Sequence, residues 1–278
     1  MPANMKYLVI GSSGQIGTHL CSYLERHGDN VVVPFDMVRD ANEDLRYNLP
    51  LLIEKMRQVD FVFFLAFDVG GARYLQQYQH TWEFISNNIK LMDHGFDALR
   101  VLDKPFVFAS SQMSNMLHSP YGVLKAVGNA STKSLNGILV KFWNVYGVET
   151  DPKKFHVITD FIKKARSRGK IEMMTSGEEE RQFLYAEDCS ACLHMLSTRY
   201  GEVPRDKELH ITSFEWTKIK RIAEIIGSQM KVPIIPDAQA VDTVQNLQKN
   251  EPDPFILDHW RPTTGLEEGI ARVIAKTP

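Results

Sequence analysis

The chain has 278 residues, 44% of them hydrophobic, and a formal net charge of −2 at pH 7. That is enough apolar material for a large core, as one domain or two closely joined ones. The near-neutral balance gives no electrostatic case for nucleic acid or an anionic membrane as partner, and the longest apolar run, Phe61 to Phe67, is far too short to span a bilayer.

In chain order, Tyr7-Leu8-Val9-Ile10 predicts a strand over 6–10, followed by a glycine turn and a helix over 15–27. A strand over 31–35 ends at Asp36. Next come a helix over 49–57, a strand over 61–66, a long helix over 72–100, a strand over 106–109, a helix over 119–135 and a strand over 138–142. This alternation predicts a Rossmann-type doubly wound α/β fold: a parallel sheet with helices on both faces and a ligand crevice at the strand C-termini. After about residue 150 the rhythm loosens into a helix over 155–168, a strand over 170–174, a helix over 187–199, a strand over 208–212 and a helix over 215–230. The stretch 231–254, with Pro233, Pro236, Pro252 and Pro254, reads as irregular. Gly11 breaks the N-terminal apolar run, so no secretory signal is expected. Cys21, Cys189 and Cys192 are an odd number and fit a reducing cytosol; Cys189 and Cys192 lack a second pair, so no metal site is expected.

The glycine turn reads Gly11-Ser12-Ser13-Gly14-Gln15-Ile16-Gly17, between a strand and a helix. In that context Gly11 permits the tight turn, Gly14 lets the backbone approach a pyrophosphate, and Gly17 lets the helix pack on the sheet. The phosphates meet the unpaired N–H groups of the helix start, so Gly11, Ser13, Gly14, Gln15, Ile16 and Gly17 are the expected cofactor contacts. Asp36, at the end of the next strand, can accept hydrogen bonds from both ribose hydroxyls and repels a 2′-phosphate, which argues for NAD over NADP.

Tyr121 and Lys125 lie four apart, on one face of the 119–135 helix, ten residues after Ser111. A phenol ionises near pH 10, and bringing it to about 7 takes roughly 4 kcal/mol. A neighbouring ammonium and a positively charged nicotinamide ring both act in that direction. Ser111 is the expected hydrogen-bonding partner of the reacting oxygen, with Ser110 as the alternative.

These features resemble the extended short-chain dehydrogenase/reductases, specifically their nucleotide-sugar epimerase/dehydratase branch. The likeness runs through Gly11-x-x-Gly14-x-x-Gly17, Asp36, Asp44-Leu45, Leu65-Ala66, Asn88, Ser110-Ser111, Tyr121-x-x-x-Lys125, Asn144-Val145-Tyr146-Gly147, Arg181-Gln-Phe-Leu-Tyr185-x-x-Asp188 and a closing Trp260-Arg261-Pro262-Thr263-Thr264-Gly265-Leu266-Glu267-Glu268-Gly269. The resemblance implies an NAD-binding Rossmann domain over 1–150 and a smaller α/β region over 151–278 for a nucleotide-diphosphate sugar, with 186–200 packing back on the first. It implies that Asp44 and Leu45 flank the adenine, that Leu65 and Ala66 also bind cofactor, and that Asn88 sits near its phosphate side. Asn144 and Arg181 are then the expected contacts to the substrate diphosphate.

The implied chemistry is a hydride cycle in which Tyr121 takes a proton from a sugar hydroxyl, most simply at C4, Ser111 hydrogen-bonds that oxygen, and Lys125 binds the nicotinamide ribose while biasing Tyr121 toward phenolate, so that Tyr121 and Lys125 are expected cofactor contacts as well. Epimerisation with bound NAD is the leading expectation, a nucleotide-sugar oxidoreductase the next, and a non-catalytic cofactor-binding protein the third. Gln112 and Met113 follow Ser111 where dehydrating relatives carry Asp-Glu and some 3,5-epimerising ones carry Cys at the second position, which disfavours 4,6-dehydration and cysteine-dependent 3,5-epimerisation. Two features pull toward the GDP-sugar 3,5-epimerases and GDP-fucose synthases: Val69-Gly70-Gly71, which can equally be a simple turn, and His156, which can be an acid or a packing residue. Lys141 and Gln182 depart from the Arg and Asp common in the family. Tyr74, Tyr78, Trp82, Phe84 and Leu91 give the 72–100 helix an apolar surplus compatible with a homodimer interface.

Overall fold

The computed structural model describes residues 4–237 and 250–277, so much of the 231–254 stretch lies outside the described residues. The elements in order are β1 (Lys6–Ile10), α1 (Gln15–Arg26), β2 (Val31–Phe35), α2 (Leu49–Arg57), β3 (Phe61–Phe64), α3 (Ala72–Tyr78), α4 (Trp82–Leu102), β4 (Phe106–Ser111), α5 (Pro120–Ser134) and β5 (Ile138–Phe142). They continue with β6 (Asn144–Tyr146), α6 (Val157–Arg168), β7 (Ile171–Glu172), β8 (Glu180–Tyr185), α7 (Ala186–Thr198), β9 (Leu209–Ile211), β10 (Trp216–Lys218), α8 (Ile219–Met230), β11 (Ile234–Ile235) and α9 (Leu266–Lys276).

Among the described residues, a parallel sheet runs β2-β1-β3-β4-β5-β9. Its central strands bury both faces, which is why they read as unbroken apolar runs such as Phe61-Val62-Phe63-Phe64. Alternate residues go to opposite sides. Tyr7, Val9, Phe61 and Phe63 share a core with Leu20 and Leu24 of α1 and Cys192 and Leu196 of α7. Leu8, Ile10, Val62 and Phe64 meet Leu52 of α2, Phe96 and Leu99 of α4, and Leu124 of α5. The chain order turns back at β1, with β2 on one side and β3 on the other, and an open parallel sheet binds its ligand beyond the strand ends at such a reversal.

A second, smaller core gathers α6, α8 and α9 around Phe183 and Tyr185 of β8. Here β6 pairs parallel with β8, and β10 pairs antiparallel on the other side of β8. The α9 end is fastened to α7: the Asp188 carboxylate accepts from the Thr263 hydroxyl and the Thr264 N–H, both at 2.8 Å.

Several boundaries differ from those expected. The long 72–100 helix is two helices, because Thr81 caps a new start: its hydroxyl accepts from Phe84 N–H at 3.3 Å. The 215–230 helix begins only at Ile219; the three preceding residues form β10, paired with β8. The strands β6 and β8 and the helix α9 were not expected. Within the irregular stretch, Ile234–Ile235 pairs with β7.

Candidate active site and cofactor cradle

The glycine turn is built by contacts that leave no room for side chains at two positions. Gly11 has φ +89°, and a Cβ there would stand 2.6 Å from Ala66 N, just beyond β3. A Cβ on Gly17 would lie 2.1 Å from Gly11 O. The turn is tied to β2 by Gly11 N–H donating to Phe35 O at 2.9 Å and by Ser13 N–H donating to Asp36 Oδ2 at 2.9 Å. Asp36 Oδ1 accepts from Val38 N–H at 2.9 Å, so the carboxylate is fixed at the sheet edge with lone pairs to spare.

The cradle fits a dinucleotide. Gly14, the N-cap of α1, gives no side-chain acceptor to the helix start, and the first turn carries no acid. Ser12 Oγ and Gln15 Nε2 are buried without a hydrogen-bond partner. Orphan donors at an uncapped helix N-terminus are what a pyrophosphate satisfies. Leu65 N–H donates to Ile10 O at 2.9 Å and holds the Leu65-Ala66 segment alongside the turn.

Asn88 is fully buried and clamps the loop after β3: its Oδ1 accepts from Asp68 N–H at 2.7 Å, and its Nδ2 donates to Asp68 O at 3.1 Å and Phe84 O at 3.0 Å. The side chain is saturated by the protein, so it acts on a ligand by shaping this loop. The Asp44 carboxylate is occupied by Arg46, with Nε at 2.9 Å and Nη2 at 2.6 Å. Leu45 is buried and its carbonyl bonds His94 Nδ1 at 2.6 Å. Arg46 was not expected near this end of the cradle.

Ser110 and Ser111 close β4 with side chains on opposite faces. Ser110 Oγ donates to Asn129 Oδ1 at 2.5 Å, away from the site. Ser111 Oγ accepts from Met113 N–H at 3.1 Å, and its side chain shares a cavity wall with Tyr121. Tyr121 follows Pro120 at the start of α5, where Ser119 Oγ caps the helix by accepting from Gly122 N–H at 3.3 Å. Lys125, one turn on, is buried beneath Tyr121: Nζ donates to Ala109 O at 2.6 Å and lies 3.7 Å from the Phe67 ring centre and 5.8 Å from that of Tyr121. Burial dominates both titrations. It pushes the phenol up to about 12 against the Ser111 hydrogen bond, and the ammonium down to about 7. Among the protein's own groups, burial outweighs Ser111 and keeps the proton on Tyr121.

A cavity of about 380 Å³ gathers Ser111, Tyr121, Asn144, His156 and Arg181, residues drawn from both halves of the chain. Asn144 opens β6 and is in register with Phe183; Arg181 lies two residues earlier on β8. Asn144 Nδ2 donates to Gln182 O at 3.3 Å. Lys125, the glycine turn, Asp36, Asp44, Leu45 and Asn88 are not among its walls. The Val69-Gly70-Gly71 loop is a wall, and its glycines are there for close approach: a Cβ on Gly71 would meet Phe155 O at 2.4 Å, and Gly71 N–H donates to Lys154 O at 3.1 Å. That contact seats the 154–156 segment, and His156 with it, against the cavity.

His156 bonds a residue the sequence did not single out. Glu149 Oε1 lies 2.6 Å from His156 Nδ1, and Oε2 accepts from the His156 main-chain N–H at 3.0 Å. Burial lowers the imidazole, but the charge and hydrogen bond of Glu149 outweigh it and hold the ring above its ordinary value. Burial raises the Glu149 carboxyl, and His156 more than offsets this, holding it low. Trp143, an unforeseen residue of the cavity wall, is locked by its indole N–H to His210 Nδ1 at 3.1 Å. No helix among the described residues is long and apolar enough to cross a membrane.

A model of the NAD dependent epimerase/dehydratase family matches residues 7–211. An uncharacterized UDP-glucose epimerase of Bacillus subtilis is 27% identical over 98% of this chain and 97% of its own. The GDP-mannose 3,5-epimerase of Arabidopsis thaliana is 25% identical over 96% of this chain and 80% of its own. The UDP-glucose 4-epimerase of Thermotoga maritima, solved with UDP-glucose, superposes with a TM-score of 0.77 at 16% identity, covering 98% of each chain.

Proposed function

From the premise that the chain belongs to the NAD-dependent epimerase/dehydratase family, we propose a nucleotide-sugar epimerase that keeps NAD bound and acts by transient oxidation of a sugar hydroxyl, at C4. The observation that carries this reading is that Ser111 and Tyr121 share the wall of a cavity that also holds Asn144 and Arg181. NAD, when bound, supplies the hydride acceptor and a positive charge beside the phenol. Gly11 to Gly17 and Asp36 are the residues to hold it, with Leu65, Ala66, Asp44 and Leu45 along the same strand ends.

Tyr121 then removes the proton of the substrate hydroxyl, and Ser111 hydrogen-bonds the same oxygen as charge develops on it. Lys125 lies too deep to touch a sugar; it biases Tyr121 and faces the cofactor side. Asn144 orients the diphosphate and Arg181 neutralises it. The domain division this implies is a cofactor-binding unit over 1–150 and a substrate-binding unit over 151–278, with α7 returned to the first. Product analysis by mass spectrometry and NMR across UDP-, GDP-, CDP- and dTDP-sugars, with no cofactor added, tests the reading; steady consumption of added NADH in place of epimer formation would overturn it.

The Glu149–His156 pair favours a second reading, a 4-ketosugar oxidoreductase or epimerase in which His156 also moves a proton. The assembly is a homodimer through α4 and α5, whose outer faces carry Trp82, Ile89, Val123 and Val127 at 71%, 47%, 40% and 52% exposure. Its place is the cytosol, where Cys21, Cys189 and Cys192 stay reduced, and its role is in carbohydrate biosynthesis.

A further inference from the structure

Gln112 directly follows Ser111, opens a single helical turn over Gln112–Asn115, and is 6% exposed. It is a wall of the cavity that holds Ser111, Tyr121 and Asn144. Its partner comes from 138 residues further along the chain. Asn250 Nδ2 donates to the Gln112 main-chain oxygen at 2.6 Å and to Gln112 Oε1 at 2.8 Å.

A main-chain carbonyl can only accept, so the group that Asn250 turns toward it must be its NH2. The same NH2 reaches the Gln112 side chain, which has to meet it with its oxygen. Asn250 in this way fixes which way round the Gln112 amide sits, a choice that the shape of an amide alone leaves open. Both Nε2 protons are left over, and they donate to none of the described residues. Nor is Nε2 among the buried atoms closed off without a partner, as Gln15 Nε2 is, so it opens on the cavity that Gln112 lines.

Asn250 is held from its other side as well. The next residue, Glu251, accepts from the Trp216 indole N–H at 3.4 Å, and the Trp216 ring stands edge-on to Trp143 with 5.6 Å between centres. The 250–251 pair thereby bridges the end of β4 to β10 along one side of the cavity.

We propose that Gln112 is a substrate-binding residue whose amide donates to a hydroxyl of the sugar other than the reacting one, and that Asn250 is the positioning residue that turns this donor inward. The inference rests on the reading above for the class of ligand, a nucleotide-diphosphate sugar, and concerns binding, not hydride transfer. In the open cavity water can satisfy Nε2. A sugar that displaces this water has to replace its hydrogen bonds or lose affinity. A buried amide left unpaired is costly, so such a donor selects sugars that carry an acceptor there against sugars that lack one. Being neutral, it holds a hydroxyl without handing it a proton, and that hydroxyl stays in place while its neighbour is oxidised.

The test is calorimetric titration of the full-length, NAD-loaded protein, which reads affinity whether or not the sugar turns over. The probes are UDP-glucose, GDP-mannose and their 2-, 3- and 6-deoxy analogues. Gln112→Met, alike in shape but without the amide, is expected to bind the parent sugar nucleotide about 10-fold more weakly than wild type. It should match wild type on the one analogue that lacks the partner hydroxyl. Gln112→Glu keeps an oxygen for Asn250 but presents no donor, and is expected to lose the same factor. Asn250→Ala leaves the amide free to turn and should lose part of that factor; placed in Gln112→Met, it should add nothing further. Retained NAD and circular dichroism melts show that each variant is folded.

A loss equal on the parent and on every analogue, no loss on the parent, additive losses in the double variant, or a wild type that binds neither parent overturns the proposal. Binding that depends on Gln112 in a protein that forms no epimer would sink the C4 reading and leave this one standing. Epimer formation with binding indifferent to Gln112 does the reverse.

Discussion

Lys154 Nζ lies 3.0 Å from Asp68 Oδ1, joining the loop that precedes α6 to the loop that follows β3. Asp68 also accepts from the Tyr74 hydroxyl at 2.6 Å, while Asn88 holds both of its main-chain groups. Burial raises this carboxyl, but Tyr74 and Lys154 outweigh it and keep it ionised. The cofactor side of the sheet is thereby strapped to the segment that carries His156. Lys154→Met removes one strand of the strap. Because the Lys154 and Asp68 side chains are 38% and 21% exposed, the stability loss by urea unfolding is expected to be about 1 kcal/mol or less. The larger effect falls on KM for the nucleotide sugar, with kcat changed less.

Tyr121→Phe keeps the ring in its contact with Phe67, 5.6 Å between centres, and removes only the hydroxyl. Turnover is expected to fall by about 10²- to 10⁴-fold, with NAD still retained on gel filtration. Near-normal epimerisation by this variant would remove Tyr121 from the mechanism.

Asp36→Ala deletes the carboxylate that accepts from Ser13 N–H and Val38 N–H. The variant is expected to bind NAD less tightly and NADP relatively better, since a charge that repels a 2′-phosphate is gone. Fluorescence titration with both reduced cofactors reads the ratio; an unchanged NAD to NADP preference would mean that Asp36 does not face the ribose.

Two histidines give stability opposite pH dependences. His19 Nε2 accepts from Val148 N–H at 3.1 Å, and burial holds the ring below its ordinary value. The unfolded chain therefore takes up this proton first, and the His19 contribution, complete above about 6.5, is lost as pH falls through the lowered folded value. His156 is raised, so its contribution is present below about 6.5 and is lost as pH rises through the folded value. In His19→Gln, whose amide oxygen can replace Nε2 as acceptor, the wild-type-minus-variant difference in unfolding free energy should fall on the acid side and stay flat above neutrality. In His156→Gln it should fall on the alkaline side.

How far the sequence could be read depended on whether a residue's role was local. The strands β1 to β5 were legible because a doubly covered parallel strand must be apolar throughout. The glycine turn was legible because close backbone approach admits little else. Ser110 and Ser111 could not be separated by composition, and strand alternation settles their orientation. The α3–α4 break was hidden because Tyr74, Tyr78, Trp82 and Phe84 keep apolar character across it, with Thr81 the one local sign. Glu149 carried no signal at all: it sits in an aperiodic loop and meets His156 through chain folding. The two departures from the family pattern have partners of their own, since Lys141 is buried against Glu208 at 2.6 Å and Gln182 accepts from the Thr212 hydroxyl at 3.0 Å. Asp188, Thr263 and Thr264, prominent as family marks, turn out to be a staple between α7 and the approach to α9.

Helix α1 begins at the glycine turn and, one turn later, grips the backbone just ahead of Glu149 through His19. A short helix moves as a rod, so a dinucleotide drawing on its first turn also tugs the strand exit from which the Glu149 loop departs. Thermodynamic reciprocity makes such leverage symmetric: whatever factor the sugar nucleotide gains from a seated dinucleotide, the dinucleotide gains in return, and release of the sugar nucleotide weakens the hold on the coenzyme by that same factor.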